Sequence, residues 1–372
     1  MALPSSGPLS IDDIRTELGS SSGSLRTLSA AAGKSTPDAI SEFYSYSSFT
    51  PSDHFRIINY SGNGVSRNIS TGFRPDLVWS KKQGTGDHGW YDALLGADEL
   101  RFPGNSGGNI IHGRSNQLTS FNSSSYTIGS GDAGGLLYND TGFNYMAYCW
   151  KGSNSAASNT SGTVTSSVRA NQAGGFSIVK WTGTGTNPTR VGHGLGAIPN
   201  LIIVMNSQQS VGTDVYTSAI GAAGYLNLND DDGWYSVIGG RWNNTAPTSS
   251  VFTVNSDSSV NGSGKTMMAY CFANISGYQN IGGYSGNSGT RAVNTGFQPR
   301  FLVIKCHTLG TASESWKLFD STRGSSVAFE IDNSQNSVST PGVSFTSTGF
   351  SITTSSLELN RSGQSYFYWA IA

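Results

Sequence analysis

Few residues in this chain stand at the spacings that chemistry requires. Val260-Asn-Gly-Ser-Gly-Lys-Thr266 ends as a phosphate-binding loop ends. Such a loop also needs a glycine five residues before Gly264, so that backbone amides can approach phosphate, and a helix after the lysine. Ser259 holds that place, and an apolar, strand-like run follows. Gly33-Lys34-Ser35 fails in the same way, with Leu28 at the glycine position. Asp230-Asp-Asp-Gly233 resembles part of a calcium loop, yet Leu228 takes the first ligand position and no glutamate closes the loop. All three runs read as turns. The histidines, His54, His88, His112, His193 and His307, are scattered, and none has a Cys or His partner at ligand spacing. Cys149, Cys271 and Cys306 are odd in number and form no C-x-x-C pair, so neither a disulfide framework nor a zinc site is expected. Asp92 in Trp90-Tyr-Asp92 and Asp320 in Trp316-Lys-Leu-Phe-Asp320 both follow aromatics. Glycoside hydrolysis would need two carboxylates facing one cleft about 5 to 10 Å apart, and hydrogen bonding of a loop is the simpler reading of these two. No G-x-S-x-G elbow marks an activated serine. The expectation is a chain without catalytic residues, metal or cofactor, and not an enzyme. The contact chemistry left over is aromatic: Trp90, Tyr91, Trp234, Tyr235, Trp242 and Trp316 lie in Gly-rich stretches. Exposed there, they would stack on surface glycans or anchor protein contacts, the plainer alternative being core packing.

Positioning these residues falls to one element order that occurs three times. Each repeat opens on an aromatic and a Gly-rich turn: Tyr60-Ser-Gly-Asn-Gly64, Trp181-Thr-Gly-Thr-Gly185 and Tyr284-Ser-Gly-Asn287. A Gly-x-x-Pro and an apolar run follow: Gly72-Phe-Arg-Pro75-Asp-Leu-Val-Trp79, Gly196-Ala-Ile-Pro199-Asn-Leu-Ile-Ile-Val204 and Gly296-Phe-Gln-Pro299-Arg-Phe-Leu-Val-Ile304. Proline lacks the donor that a central ladder needs but suits the first residue of a strand, so each run reads as a strand entered through proline. An aromatic segment comes next, Tyr126-Thr-Ile128, Phe252-Thr-Val254 or Phe350-Ser-Ile352. The repeat then closes on Tyr145-Met-Ala-Tyr-Cys-Trp150, Met267-Met-Ala-Tyr-Cys-Phe272 or Tyr366-Phe-Tyr-Trp-Ala-Ile371. A strand apolar at successive positions belongs in the middle, with both faces covered. The same alignment places Cys149, Cys271 and Ala370 at one small buried position. It also places Val215-Tyr-Thr217, with no acid, where the outer repeats carry Asp92 and Asp320.

Composition agrees with this reading. Gly counts 48 of 372 residues, charged residues are 12% and aromatics 11%, a profile of short strands and tight loops. The expected fold is mainly β: three tandem antiparallel β-sandwiches at 50–150, 176–274 and 275–372, with a short helical segment at 1–49. Residues 151–175, rich in Ser, Asn, Thr and Ala, read as a linker with one short strand at Thr163 to Val168. The junction Asn274-Ile-Ser-Gly277 is short enough for the second and third sandwiches to pack rigidly. A net charge of -1 without a basic block disfavours nucleic acid and anionic membranes as partners. No run approaches the roughly 20 apolar residues of a membrane span, and the N-terminus lacks the basic and apolar regions of a signal peptide.

The first 49 residues differ in kind. Ser10-Ile-Asp-Asp13 is a capping-box-like helix start, Ile11, Ile14 and Leu18 share a face, and Gly19 can end the helix. A second helix is expected over Leu25 to Ala32, stopped by Gly33, and a third turn over Pro37 to Tyr44 leads into the cluster Phe43, Tyr44, Tyr46 and Phe49. So short a segment buries little alone and is expected to dock through these two apolar groups onto something larger.

Ser6-Gly-Pro-Leu-Ser-Ile-Asp-Asp-Ile-Arg-Thr-Glu-Leu-Gly19, followed by Ala39-Ile-Ser-Glu-Phe-Tyr44, resembles an N-terminal module of tailed-bacteriophage virion proteins. The repeats resemble a tail-fibre-like domain of marine and cyanobacterial phage structural proteins, on Gly175-Phe-Ser-Ile-Val-Lys-Trp-Thr-Gly-Thr-Gly185, Val191-Gly-His-Gly-Leu-Gly196 and Trp242-Asn-Asn-Thr-Ala-Pro-Thr-Ser-Ser-Val-Phe252. The resemblance implies a virion structural protein, assembled in the host cytoplasm. Its partners would be other tail or capsid proteins, further copies of itself, a trimer being one arrangement, and a host cell-surface polysaccharide. A tail fibre or tail-associated appendage is the leading reading, a capsid decoration or cement protein the second, and a glycan depolymerase the third. No collagen-like, coiled-coil or β-helical shaft is present, so any fibre would be short and made of globular beads.

Overall fold

The structure, a computed structural model, describes residues 3–34, 36–44, 49–86, 88–97, 99–101, 110–112, 116–130, 138–236, 240–308, 314–332 and 337–372. The chain forms two compact units, Met1–Ser52 and Asp53–Ala372.

In the first unit, α1 (Ile11–Leu18) starts as its sequence demands. Ser10 Oγ accepts from the Asp13 amide, and the Asp13 carboxylate accepts from the Ser10 amide at 2.8 Å. Gly19, at φ 60°, turns the chain out of the helix. α2 (Leu25–Ala31) is capped by Ser24 and ends at Ala32, one residue before the expected Gly33. Of the third turn, only Ile40–Phe43 is helical, as a single 3-10 turn. Leu3, Ile14, Leu28 and Phe43 make a small core, with Leu9, Ile11, Leu18, Leu25 and Ile40 partly buried against it. This corrects the expected outward docking face. Ile14 and Phe43 point into this one core, because α1, α2 and the 3-10 turn pack together; Tyr44 and Phe49 are half-buried, and Tyr46 lies outside the described residues. Among the described residues no helix is long and apolar enough to cross a membrane.

The second unit is mainly antiparallel β. Repeat 1 comprises β1 (Phe55–Ser61), β2 (Arg67–Ser70), β3 (Leu77–Lys82), β4 (His88–Asp92), β5 (Glu99–Arg101), β6 (Ile110–His112), β7 (Leu118–Phe121), β8 (Ser125–Ile128) and β9 (Asn144–Trp150). Two further strands, β10 (Ala157–Asn159) and β11 (Ser166–Asn171), precede repeat 2. Repeat 2 holds β12 (Phe176–Thr182), β13 (Thr189–Gly192), β14 (Leu201–Asn206), β15 (Asp214–Thr217), β16 (Gly224–Asn227), β17 (Tyr235–Ser236), β18 (Val251–Val254), the short α3 (Ser258–Asn261) and β19 (Thr266–Phe272). Repeat 3 holds β20 (Gln279–Ser285), β21 (Arg291–Asn294), β22 (Phe301–Cys306), β23 (Lys317–Asp320), β24 (Gly324–Glu330), β25 (Val338–Ser339), β26 (Val343–Thr346), β27 (Gly349–Ile352) and β28 (Ser365–Ile371).

The large sheets run β1-β9-β3-β4-β5-β6, β12-β19-β14-β15-β16-β17 and β20-β28-β22-β23-β24-β25, one order three times. Small sheets β2-β8-β7, β13-β18 and β21-β27-β26 cover them. The closing strands β9, β19 and β28 sit between two neighbours and are buried on both faces, as their unbroken apolar runs require. One face of each meets its own sandwich core, which includes Cys149, Cys271 and Ala370. The other face meets the neighbouring repeats. Trp150 stacks on Trp369 with centroids 5.6 Å apart, Phe272 lies 4.4 Å from Trp369, and Phe301 lies 5.5 Å from Phe55. Each such pair adds about 0.5–1.5 kcal/mol beyond its buried area. A gap of about 10 Å³ beside them is lined by Trp79, Ile203, Val215, Val303 and Trp369, too small and apolar to hold water. The three sandwiches share this aromatic centre instead of standing apart as beads.

Residues 151–175 depart from the expected linker. Ser166–Asn171 pairs along β12, and Ala157–Asn159 pairs along it in turn, so the middle sheet becomes β10-β11-β12-β19-β14-β15-β16-β17. The expected strand at Thr163 to Val168 is displaced towards the C-terminus. Asp76 of repeat 1 ties the segment down, its carboxylate accepting from the Gly152 amide at 2.8 Å and from Arg169 at 3.1 Å.

Candidate functional site

The phosphate-loop look-alike is a scaffold turn present in all three repeats. Asn139, Asn261 and Asn360 are fully buried. Their side-chain carbonyls accept from the amides of Asn63 (3.0 Å), Thr184 (2.9 Å) and Asn287 (3.0 Å) in the Gly-rich turn of the same repeat. Their amide groups donate to turn carbonyls such as Val65, Thr186 and Gly289. The turn approaches so closely that a Cβ on Gly62, Gly183 or Gly286 would overlap the carbonyl oxygen of Asp140, Gly262 or Arg361. The Gly-Ser-Gly-Lys of residues 262–265 continues this turn, and Gly264 takes φ 69°. Asp230 likewise holds its own turn, accepting from Asn227 at 3.0 Å and Tyr235 at 3.1 Å. No group of three metal-ligating side chains stands together among the described residues.

Four of the six aromatics expected on the surface are inside. Trp90, Tyr91, Trp242 and Trp316 are at most 2% exposed, which corrects their expected display. Tyr91 and Trp242 lie in sandwich cores, whereas Trp90 and Trp316 lie between repeats, because the outer faces of the large sheets are covered by each other. Trp234 and Tyr235 are half-buried, Tyr235 stacking on Tyr225 at 5.1 Å.

The side-chain hydrogen bonds between repeats run in one rotational sense. Tyr148 of repeat 1 donates to Asp320 of repeat 3 at 2.9 Å, and Tyr270 of repeat 2, the counterpart of Tyr148, donates to Asp92 of repeat 1 at 2.8 Å. His88 of repeat 1 accepts from Trp79 at 2.9 Å through Nδ1, so its Nε2–H donates to the Glu330 carbonyl of repeat 3 at 2.8 Å. Trp316, its counterpart in repeat 3, donates to the Asn227 carbonyl of repeat 2 at 3.0 Å. Repeat 1 thus grips repeat 3, repeat 3 grips repeat 2, and repeat 2 grips repeat 1. Asp92 and Asp320 also hold turns, accepting from the amides of Leu94 and Leu95 and of Thr322 and Arg323. Both acids are buried and bonded within these turns.

Buried charge distinguishes the repeats. Asp214 in β15 is wholly buried; it accepts from Arg241 at 2.7 Å and from Ser259, and burial pushes its carboxyl up to about 6. The counterpart of Asp214 in repeat 3 is Lys317, held by Glu330 and Glu358. Nearby Glu314 is pushed up to about 7 by burial and by the Glu358 charge.

An open groove of about 510 Å³ lies where the internal repetition breaks, on the sheet widened by β10 and β11. Ser158, Ser167, Lys180, Thr182, Gln208 and Thr266 line it, and the Leu94–Leu95 turn of repeat 1 forms one wall. Lys180 Nζ donates to the Leu94 carbonyl at 3.0 Å, fixing that wall. Among the described residues no carboxylate lines the groove. The sequence reading missed it, since its serines and threonines carry no motif and the strands that bring them together were read as a linker.

Three internal sandwich repeats closed on one another define a mainly β protein with a groove on the widened middle sheet. The chain belongs to the family described as "Domain of unknown function (DUF7483)", whose model matches residues 50–372, the three repeats together. No curated protein matches the chain. Among solved structures, that titled "The Triple Jelly Roll Fold and Turret Assembly in an Archaeal Virus" aligns at 9% identity over 91% of this chain and 92% of that one, with a TM-score of 0.13. A superposition of that quality does not define a shared fold.

Proposed function

We propose that this protein is a structural component of a tailed-phage particle, a tail fibre or tail-associated appendage, in which residues 1–52 serve attachment and the 53–372 unit serves display. The observation that carries this reading is the closed set of bonds among the repeats. Side chains that suggested chemistry in the sequence, Asp92, Asp320, His88, Trp90 and Trp316, hold the repeats together. A rigid unit of this kind suits a part whose work is to persist and be touched. The N-terminal resemblance to virion modules is what supports a place on the particle.

Immunogold labelling of purified particles with antibody against residues 53–372 tests the proposal, with label expected on the tail. Label confined to the capsid would replace the tail reading by head decoration, and unlabelled particles would end both. Release of reducing sugar from host polysaccharide by the purified chain would replace display by depolymerisation.

A further inference from the structure

We infer that the groove on the widened middle sheet binds a neutral, hydroxyl-rich glycan chain. Its placement is the first argument. Three repeats share one strand order, and only repeat 2 is extended, by β10 and β11. The groove spans residues of β10, β11, β12 and β19 and the end of β14, five adjacent strands, or about 19 Å at the usual spacing between strands. That is the reach of a short oligosaccharide, longer than a single sugar needs.

Its chemistry is the second argument. Ser158, Thr165, Ser167, Thr182 and Thr266 carry hydroxyls with no hydrogen-bond partner among the described residues, so each can both donate and accept. The Gln208 side-chain oxygen is occupied by the Thr266 amide at 3.0 Å, which turns its NH₂ donors free of that bond. Leu94, Leu95, Ala156 and Ala157 supply apolar surface for the C–H faces of sugar rings. Among the described lining residues Lys180 is the one cation, with one of its three protons held by Leu94, and none is an acid. A phosphorylated or sulfated polymer would call for several cations, and a cationic ligand for carboxylates. A neutral glycan needs neither. The wall is tied to the sheet by the Lys180 bond and the floor is paired strand, so the groove is formed before a ligand enters.

The reading of the chain as a displayed particle component supplies the source of such a glycan, a host surface, but the chemistry of the groove stands without it. The full chain is titrated calorimetrically with maltoheptaose, cellohexaose, mannohexaose and xylohexaose, each up to about 10 mM, a range that captures the weak affinity of a single site. Saturable binding of at least one is expected. Thr182→Arg and Ser167→Arg, which fill the groove from exposed or half-buried positions, should each weaken it about tenfold or more, with the melting temperature unchanged. Ser344→Arg, on the exposed face of β26 in repeat 3, should leave it intact. No binding by any of the four sugars, or binding that survives both groove substitutions, overturns the inference. Either result leaves the particle reading standing, because gold label on a tail depends on no sugar; unlabelled particles beside intact sugar binding would end that reading alone.

Discussion

Asn139, Asn261 and Asn360 are the residues on which each repeat turns. Every polar atom of such a buried amide is matched, so truncation strands the turn amides it served and leaves them without water. Asn261→Ala is expected to cost about 2–3 kcal/mol, read as a shift of the urea midpoint; a loss below about 0.5 kcal/mol, the size of a surface change, would show the turn to be self-supporting. Asp214 governs a second expectation. Its folded value of about 6 exceeds the ordinary 3.8, so the folded chain holds the proton more tightly than the unfolded one. Its contribution is therefore complete below pH 4 and is lost as pH rises towards 6. His88, whose burial beside Lys81 holds its imidazole neutral, acts in the opposite sense below its ordinary 6.5. Urea midpoints of wild type and Asp214→Asn at pH 4, 5, 6 and 7 separate the two, with the fall between pH 4 and 6 shallower in the variant, where Glu314, raised to about 7, keeps its own share; parallel curves would refute the assignment. The asparagines went unread, although a signal for them exists: each stands six residues before Tyr145, Met267 or Tyr366 with a glycine midway. The buried tryptophans were not legible: whether Trp90 or Trp316 is displayed depends on a residue of another repeat, Tyr270 for Trp90 and Asn227, 89 residues back, for Trp316, and no local pattern carries that.

Elements were read most reliably where one residue type dictates geometry. Pro75, Pro199 and Pro299 each lie just before the central strand they were expected to open, and the Ser10–Asp13 box starts α1 at the expected residue. The segment 151–175 went astray because Ser, Thr and Asn at an edge strand alternate between solvent and sheet without an apolar period to betray them. The helical unit was misjudged for a related reason. The Ile14 face looked free for docking because α2 and the 3-10 turn, which cover it, are too short to announce their packing. Its separate core predicts that removal of residues 1–52 leaves 53–372 folded, with a melting temperature within a few degrees of the full chain. A collapse of the near-UV circular dichroism of the remainder would contradict this.

At the scale of the whole molecule, the shared aromatic centre makes one cooperative body of three similar parts. Calorimetry of the 53–372 unit should give a single transition whose van't Hoff and calorimetric enthalpies agree, and independent repeats would instead give a van't Hoff value near one third. Trp150→Ala, at the meeting point of all three repeats, should cost about 3–5 kcal/mol and broaden or split that transition. The tandem order of sandwiches was visible in the sequence, but their closure was not, since the residues that close it are apolar or aromatic and would equally suit a core. Closure also has a temporal side. Tyr148 must wait for Asp320, 172 residues on, and His88 for Glu330, 242 residues on. At roughly 5–20 residues per second of synthesis, the first sandwich stands for tens of seconds with its inner aromatic face uncovered. During that interval the last sandwich of another nascent chain on the same message offers the same grip, so crowded polysomes favour exchanged, interlocked products, and sparse initiation or a chaperone at the first sandwich is what a high yield of correctly closed chains will depend on.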